Sequence, residues 1–330
     1  MGFEQEKQTM LAVYATRGDF DNPLSALSVG TQPVPDVPEG WVKVKISAAG
    51  VNFHDIFTLR GVGPHPLTFP RILGCEGCGT LEDGTEVILY PVMGDQDYRG
   101  DETLDPKRHV FQEIANGTLA EYVIAPTRNV IPRPKDLPVN TAAVLGISWL
   151  TAYRMLCTKS GLRPGQSMLV QGCSGGVPTA LIQLGVAVGM RVWCTGRTEE
   201  KRKLAESLGA EKTFPPSHKL PELADAVFDI AGQATWEHSI ASVKTGGCVI
   251  TCGGHGGFTV FTDLGRVFME QITIKGVYAG TLQEFKDLMS LVVKKKIVPR
   301  IGHVFPLTEG EKAFRLIYEG STDGKIVLTA

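Results

Sequence analysis

Residues 167–190 read SMLVQGCSGGVPTALIQLGVAVGM, and they decide the fold of this 330-residue chain. Positions 168–171 predict a buried strand, which is followed by a glycine-rich turn and an apolar helix that begins near Val177. Positions 191–195 predict a second strand soon after that helix. A strand, glycine turn, helix and strand in this order are typical of a nucleotide-binding βαβ unit. In such a unit the turn glycines let backbone approach a pyrophosphate, which the helix N-terminus attracts.

The turn departs from the G-x-G-x-x-G pattern at two positions. With Gly175 as the middle glycine, Cys173 stands in place of the first glycine and Pro178 in place of the third. Such a turn is weak evidence when it stands alone, because similar turns occur without a nucleotide. Proline is suited to a first helical turn, where its missing N–H would be unpaired anyway. A second helix over 198–209, with a threonine N-cap, early acids and a terminal glycine, strengthens the nucleotide-binding interpretation.

Length and composition are typical of an ordinary globular protein with two domains. Hydrophobic residues make up 43% of the chain and charged residues 21%. The net charge of −2 gives no electrostatic reason to expect nucleic acid or an anionic membrane as a partner. Glu4, Glu6 and Lys7 precede any long apolar segment, so we expect no signal peptide and a cytoplasmic location.

The chain has seven cysteines, an odd number with irregular spacing, as expected in a reducing compartment. Cys75 and Cys78 form a C-x-x-C pair. A structural zinc site would need a second pair at a suitable spacing, and a redox site would need a thioredoxin-like context. We therefore expect buried or pocket-lining thiols at these two positions.

The hydrophobic pattern divides the chain into three zones. Residues 1–133 carry short alternating strands at 41–46, 85–90 and 119–125, interrupted by a charged, strand-poor insertion at 94–117 that we expect on the surface. Residues 134–278 alternate helix and strand, which predicts a parallel sheet. A helix at 140–160 leads in, strands are expected at 226–230, 248–252 and 272–278, and a helix at 282–295 and a strand at 324–328 follow. The predicted fold class is α/β.

Several ordered motifs together resemble the medium-chain dehydrogenase/reductase superfamily, in its zinc-free quinone oxidoreductase and enoyl reductase branch. The resemblance covers nearly the whole chain. It implies a GroES-like β-rich catalytic domain at 1–133 and 279–330, and a Rossmann doubly wound parallel-sheet domain at 134–278. The segments that carry it are AAGVNFHD at 48–55, LGCEGCG at 73–79, GTLAEYVI at 117–124, GISWLTAY at 146–153 and GKIVL at 324–328.

The resemblance also predicts which chemistry is lost. Where zinc alcohol dehydrogenases of this superfamily hold their catalytic metal, this chain has Asn52, Cys75 and Ile147, and it lacks the four clustered cysteines of a structural zinc lobe. Zinc needs three protein ligands and an open position, so we expect no metal. Hydride transfer to an activated C=C bond or a quinone is then the expected reaction. The alternatives are an alcohol dehydrogenase with an atypical metal site and a non-catalytic NADPH-binding protein.

The end of the second strand predicts the cofactor. NAD enzymes usually present an acidic residue there to the ribose hydroxyls, but Gly196 stands at that position. Arg197 and Lys201 can instead pair with a 2′-phosphate, which predicts NADPH. The alternative is that both cations are merely solvated charges at a helix start.

The resemblance implies further site residues by position. Asn52 and Thr151 would contact the nicotinamide, and Asp55 and Glu76 would either orient the site or stabilise the turn. The proton donor stays open among His54, His65, Cys75 and solvent. We also expect a homodimer through the strand at 271–277, because a second copy would cover that edge. The remaining cofactor contacts are expected as follows: pyrophosphate at Ser174, Gly175, Gly176 and Val177; nicotinamide loops at Gly253, Gly254, Tyr278 and Ala279; adenosine end at Lys325.

Overall fold

A computed structural model describes residues 8–330 of the chain. Glu4, Glu6 and Lys7, on which the prediction about a signal peptide rests, lie outside this range. The chain forms two compact units, one made of the residues up to Ile147 together with Ile301–Ala330, the other of Ser148–Arg300. Both divisions fall later in the chain than the predicted domain boundaries at 133/134 and 278/279. Within 8–330, no helix has the length and apolar character needed to cross a membrane.

The described residues form eighteen strands and nine α-helices, together with shorter helical turns. The strands are β1 (Thr9–Ala15), β2 (Leu27–Pro33), β3 (Trp41–Val51), β4 (Arg71–Ile72), β5 (Gly77–Thr80), β6 (Glu86–Leu89), β7 (Val92–Met93), β8 (His109–Val110), β9 (Tyr122–Pro126), β10 (Val130–Pro132), β11 (Ser167–Val170), β12 (Arg191–Thr195), β13 (Lys212–Phe214), β14 (Ala224–Asp229), β15 (Val243–Thr251), β16 (Thr273–Gly276), β17 (Ile301–Pro306) and β18 (Lys325–Thr329). The α-helices are α1 (Phe53–Leu59), α2 (Val139–Ala142), α3 (Leu150–Tyr153), α4 (Gly176–Ala187), α5 (Glu199–Ser207), α6 (Trp236–Ser242), α7 (Leu264–Met269), α8 (Leu282–Lys295) and α9 (Gly310–Tyr318).

The first unit is the predicted GroES-like β-rich domain. Its main sheet has the order β10-β6-β5-β3-β18-β17, and β9 pairs with the other end of the long strand β3. A smaller sheet has the order β2-β1-β4. At Gly79 on β5, a Cβ would lie 2.0 Å from the carbonyl oxygen of Lys45 on β3, so only glycine allows these strands to pair at this point. The last strand, β18, pairs antiparallel with the end of β3.

The second unit is the predicted Rossmann domain. Its six strands are all parallel, in the order β13-β12-β11-β14-β15-β16. The first strand of the βαβ unit, β11, therefore lies in the middle of the sheet. The next strands, β12 and β13, lie on one side of it, and the later strands β14, β15 and β16 lie on the other side. Loops that follow the carboxyl ends of the strands therefore meet at one edge, where ligands of such sheets bind. Trp193 and Leu169 are among the apolar side chains buried in this core.

Two predictions of local structure need correction. The insertion at 94–117 was expected on the surface, but Val110, Phe111, Gln112 and Glu113 are buried. Asp97, Arg99 and Lys107 are solvent-exposed, while the end of the insertion turns inward, where a short strand, β8, pairs with β7. The segment at 140–160 is helical but not one regular α-helix, since α3 lies between wider π-helical turns at Leu145–Trp149 and Arg154–Lys159.

Candidate active site

The first unit contains a buried ion pair at the junction of β3 and β18. The ammonium of Lys325 lies 2.7 Å from Glu76 Oε1, and the two side chains are 2% and 0% exposed. The same ammonium donates to Asn52 Oδ1 at 2.7 Å and to the carbonyl oxygen of Val51 at 2.8 Å. Strand pairing causes this meeting, because Ile326 on β18 is in register with Val51 at the end of β3. Three acceptors thus satisfy the three ammonium protons.

The amide of Asn52 is held in one orientation by these neighbours. Its oxygen accepts from Lys325, while its Nδ2 donates to Glu76 Oε1 at 2.9 Å and lies 3.8 Å from Cys75 Sγ. The second oxygen of Glu76 accepts from the backbone N–H of Ile147 at 2.7 Å. A Cβ on Gly50 would lie 2.4 Å from Glu76 Oε1, so the pair also requires that glycine.

In this geometry two of the predictions from the sequence are incompatible. Asn52 is expected at the nicotinamide and Lys325 at the adenosine end of the cofactor, yet their side chains are in direct hydrogen-bond contact. One residue pair cannot contact opposite ends of an extended dinucleotide. Because Lys325 is 2% exposed and its three donors are used within the cluster, its adenosine assignment is corrected to a contact of Asn52 and Glu76.

Asp55 lies in the first turn of α1 and is fully buried. Its carboxylate accepts from the backbone N–H of Asn52 at 2.8 Å and from that of Gly74 at 3.3 Å. Burial raises the pKa of Asp55 to about 6, although Asn52, His54 and Lys325 each lower it. Asp55 therefore fixes the backbone that carries Asn52, and it titrates close to neutral pH.

The inward end of the insertion brings two further polar side chains to this cluster. Gln112 has a positive φ of 69° and its Oε1 accepts from the backbone N–H of Gly74 at 2.7 Å. Glu113 lies 3.3 Å from His54 Nε2. Burial lowers the pKa of His54, but the Glu113 carboxylate outweighs it and the pKa is raised overall. Sequence reasoning missed Gln112 and Glu113, since nothing in a charged, strand-poor stretch indicates which residues turn inward.

The side chains at the expected zinc position do not fit that metal. Of Asn52, Cys75 and Ile147, only Cys75 has a side chain that commonly binds zinc, and zinc needs three protein ligands. Burial raises the pKa of the Cys75 thiol well above its usual value, and the nearby Asp55 and Glu76 carboxylates raise it further. Asn52 and Glu76 already bind the Lys325 ammonium. Across residues 8–330, no group of three or more His, Cys, Asp or Glu side chains is placed to hold a metal ion. Cys75 and Cys78 are both free and buried, as predicted.

The glycine turn of the second unit lies at the carboxyl end of β11. Gly172 has a φ of 104°, and the chain then enters α4 at Gly176. The N-cap residue Gly175 provides no side-chain cap for the first helical N–H groups. A helix start with unpaired N–H groups is where dinucleotide pyrophosphates commonly bind, and the predicted contacts Ser174, Gly175, Gly176 and Val177 lie there.

The end of β12 supplies the groups expected at the adenosine ribose. Gly196 is buried, and Arg197 beside it is exposed. Thr198 caps α5 by accepting from the backbone N–H of Lys201 at 3.3 Å. Arg202 lies one residue further and donates from Nη1 to the carbonyl oxygen of Gly196 at 2.8 Å. Arg197 and Lys201 therefore lie in or next to the first turn of α5, which also carries Glu199 and Glu200. The helix N-terminus and the two cations attract a phosphate, and the two carboxylates oppose it.

The remaining predicted cofactor residues follow the next strands at the same edge of the sheet. Gly253 and Gly254 come after β15, and Tyr278 and Ala279 come after β16. Ala279 has a positive φ of 44°, and a Cβ on the next residue, Gly280, would lie 2.7 Å from the Leu150 side chain on α3. This loop therefore packs closely against the helix that carries the predicted nicotinamide contact Thr151, which is 7% exposed.

A second buried ion pair holds that helix. Arg154 Nη1 donates to Glu284 Oε2 at 2.7 Å, and the two side chains are 3% and 11% exposed. Glu284 also completes a capping box at the start of α8, where Oε2 accepts from the Thr281 backbone N–H at 2.7 Å. The sequence did not predict this ion pair, because no sequence pattern relates a capping glutamate to a distant arginine.

Comparisons with known proteins match both units. The alcohol dehydrogenase GroES-like domain family matches residues 38–135, and the zinc-binding dehydrogenase family matches residues 176–294. A zinc-type alcohol dehydrogenase-like protein of Schizosaccharomyces pombe is 27% identical, over 88% of this chain and 90% of its own. The crotonyl-CoA carboxylase/reductase of Cereibacter sphaeroides is 27% identical, over 94% and 84%.

A solved structure agrees with this assignment. The crystal structure of an NAD-dependent alcohol dehydrogenase is 30% identical, covers 97% of this chain and 99% of its own, and has a TM-score of 0.88. The matched proteins are dehydrogenases and reductases, which supports oxidoreductase activity. Two family matches, one in each unit, and a similar fold over nearly the whole length show that the chain belongs to the medium-chain dehydrogenase/reductase superfamily.

Proposed function

We propose that this protein is a zinc-independent, NADPH-dependent oxidoreductase that reduces an activated C=C bond or a quinone by hydride transfer. The C=C bond would belong to an enone, an enal or an enoyl thioester. The observation that carries the proposal is the Lys325 ammonium bound by Asn52 and Glu76, at the position where a zinc enzyme would hold its metal. Similarity to a crotonyl-CoA carboxylase/reductase supports the enoyl thioester as one substrate class.

The residues of the second unit would bind and orient the cofactor. NADPH, when bound, supplies the hydride. The backbone of Ser174–Val177 would hold its pyrophosphate, and Arg197 and Lys201 its 2′-phosphate. The loops at Gly253–Gly254 and Tyr278–Ala279 and the helix with Thr151 would position the nicotinamide, and this positioning supplies most of the rate enhancement.

The residues of the first unit would hold Asn52 in position and surround it with buried polar groups. Lys325 and Glu76 fix its amide, and Asp55 fixes its backbone. Hydride addition to an enone leaves an enolate that must take up a proton. His54 lies against Glu113, and His65 Nε2 lies 3.2 Å from the carbonyl oxygen of Arg108, so both imidazoles are engaged within this unit. We therefore propose solvent as the proton source.

Steady-state assays test the proposed reaction. Purified protein is mixed with NADPH and a panel of enones, enals, enoyl thioesters and quinones, and loss of NADPH absorbance is followed. We expect turnover with at least one acceptor, at a rate that added zinc or a chelator leaves unchanged. Turnover of alcohols with NAD and stoichiometric zinc would instead favour the alcohol dehydrogenase that similarity to the NAD-dependent enzyme suggests. NADPH binding without any turnover would favour a non-catalytic role.

The cations at the start of α5 give a prediction about cofactor choice. The double substitution R197A/K201A should weaken NADPH binding about 100-fold, because two charge-assisted contacts to the 2′-phosphate are lost. NADH binding should change little, since NADH lacks that phosphate. Both dissociation constants can be measured by nucleotide fluorescence. K203A is the control, because Lys203 lies on the same helix, is 69% exposed and pairs with Glu199. Equal losses for both cofactors would contradict the assignment.

The edge strand of the parallel sheet supports the proposed homodimer. β16 has one partner, β15, and its residue Ile274 is 41% exposed. The preceding segment also exposes large apolar side chains, at Phe261, Leu264, Phe268 and Met269. A second copy that pairs along β16 would cover this edge and bury part of that surface.

Light scattering after gel filtration tests the dimer. The wild-type protein should have twice the chain mass of 35.6 kDa. I274E should shift it toward the monomer, because two-fold symmetry places both new carboxylates in the same interface. V298E, at a residue that is 75% exposed elsewhere in this unit, should stay dimeric. Equal masses for the two variants would place the interface elsewhere.

A further inference from the structure

Gly196 is a glycine for reasons of space. A Cβ at this position would lie 2.4 Å from Cys173 Sγ and 2.8 Å from Arg202 Cγ. Real Cβ atoms essentially never come within 3.0 Å of a heavy atom of a residue that is not their chain neighbour. The backbone itself does not require glycine, because Gly196 is not among the residues with a positive φ. Any other residue at position 196 therefore meets two side chains.

Neither neighbour can move away cheaply. Cys173 is 3% exposed, and Cys194, whose thiol lowers the pKa of Cys173, is fully buried. The contacting atom of Arg202 is in the middle of its side chain, whose end is fixed by the hydrogen bond from Nη1 to the Gly196 carbonyl oxygen at 2.8 Å. The Arg202 backbone N–H is also fixed, because it donates to the Thr198 carbonyl oxygen in the first turn of α5.

These contacts connect two positions that depart from the dinucleotide pattern. Cys173 stands at the first glycine of the turn, and Gly196 stands where an NAD enzyme carries its acidic residue. If position 173 were glycine, the 2.4 Å contact would not exist. We infer that Cys173 and Gly196 form a coupled pair that determines cofactor specificity: the Cys173 thiol occupies the space that a ribose-binding carboxylate at position 196 would need.

The inference rests on the proposed use of NADPH but goes beyond the cations that attract its 2′-phosphate. It states that removing Arg197 and Lys201 cannot by itself create an NADH enzyme, since no carboxylate can be accommodated beside the ribose. It also names Cys173, which makes the shorter of the two contacts, as a side chain that must be changed together with Gly196.

A double-mutant cycle tests the coupling without any cofactor. Thermal unfolding is measured for wild type, C173G, G196D and C173G/G196D. We expect G196D to lower the Tm by at least about 3 °C. C173G should recover part of that loss in the double variant, beyond additivity, because the 2.8 Å contact with Arg202 remains. C173S/G196D should show no recovery, because the serine oxygen occupies nearly the same place as the sulfur. G30A is the control glycine, as its Cβ would have no atom closer than 3.6 Å and its φ is ordinary.

Direct binding of NADPH and NADH to the same variants tests specificity. The ratio of the two dissociation constants should shift toward NADH at least tenfold more in C173G/G196D than in G196D. A G196D protein that is as stable as wild type, or that gains NADH binding without C173G, would overturn the inference. If wild type binds neither nucleotide, the proposed function fails, yet the thermal cycle still decides whether positions 173 and 196 are coupled.

Discussion

Replacing Lys325 with methionine is expected to lower the free energy of unfolding by about 3–5 kcal/mol, the usual cost of leaving a buried charge without its partner. Methionine has a similar length, so little of the loss should come from packing. What remains is the Glu76 carboxylate, 0% exposed, beside the acceptor oxygen of Asn52 and without the ammonium that now satisfies both. Urea unfolding monitored by circular dichroism measures the difference.

Two further variants separate the ion pair from a general effect of losing a lysine. Lys312 pairs with Glu309 on the surface and its side chain is 62% exposed, so K312M should cost less than about 1 kcal/mol. In E76Q/K325M no unpaired charge is left, and more than half of the K325M loss should be recovered. Equal losses in K325M and K312M would show that the buried ion pair contributes no more to the free energy of unfolding than the exposed pair does.

Asp55 should make the unfolding free energy fall as the pH rises from weakly acidic to neutral. Its pKa is 3.8 in the unfolded chain and about 6 in the folded protein, so the folded state binds the proton more tightly. This contribution is fully present below pH 3.8 and is lost as the pH passes 6. It amounts to about 3 kcal/mol in total, at 1.36 kcal/mol for each pKa unit.

D55N removes the titrating group while it keeps one acceptor oxygen. The unfolding free energy of D55N relative to wild type should therefore rise by about 2 kcal/mol between pH 4.5 and 7.5, since most of the titration falls in that interval. D225N provides a control of opposite sign. Burial raises the pKa of Asp225, but hydrogen bonds from Ser167 and Lys244 lower it overall, so its contribution is lost as the pH falls. A pH-independent difference for D55N would contradict the buried, titrating carboxyl.

The sequence predicted the nucleotide-binding unit well because its signals are local. β12 and α8 have the predicted bounds, 191–195 and 282–295. In β12, apolar residues run without interruption because a parallel strand is buried on both faces. In α8, a capping box and terminal lysines mark the two ends directly in the sequence.

The sequence could not predict the contacts that join distant residues. Lys325 was predicted as a cofactor contact, and only the register of β18 on β3 shows that it lies beside Asn52. Glu113 lies in a charged stretch, where nothing distinguishes the acid that turns inward from those that stay in water. The π-helical turns around α3 also lack a local signal in the sequence.

Glu284 couples the local unfolding of two segments of the second unit. The Glu284 carboxylate caps the start of α8 and also binds Arg154, which directly follows α3. The start of α8 and the segment around Arg154 therefore cannot separate without breaking a hydrogen bond to this carboxylate. Local unfolding of the two segments is therefore expected to be one cooperative event, with a shared free energy of opening. The amides of 281–285 and 150–154 would then exchange with deuterated water at related rates.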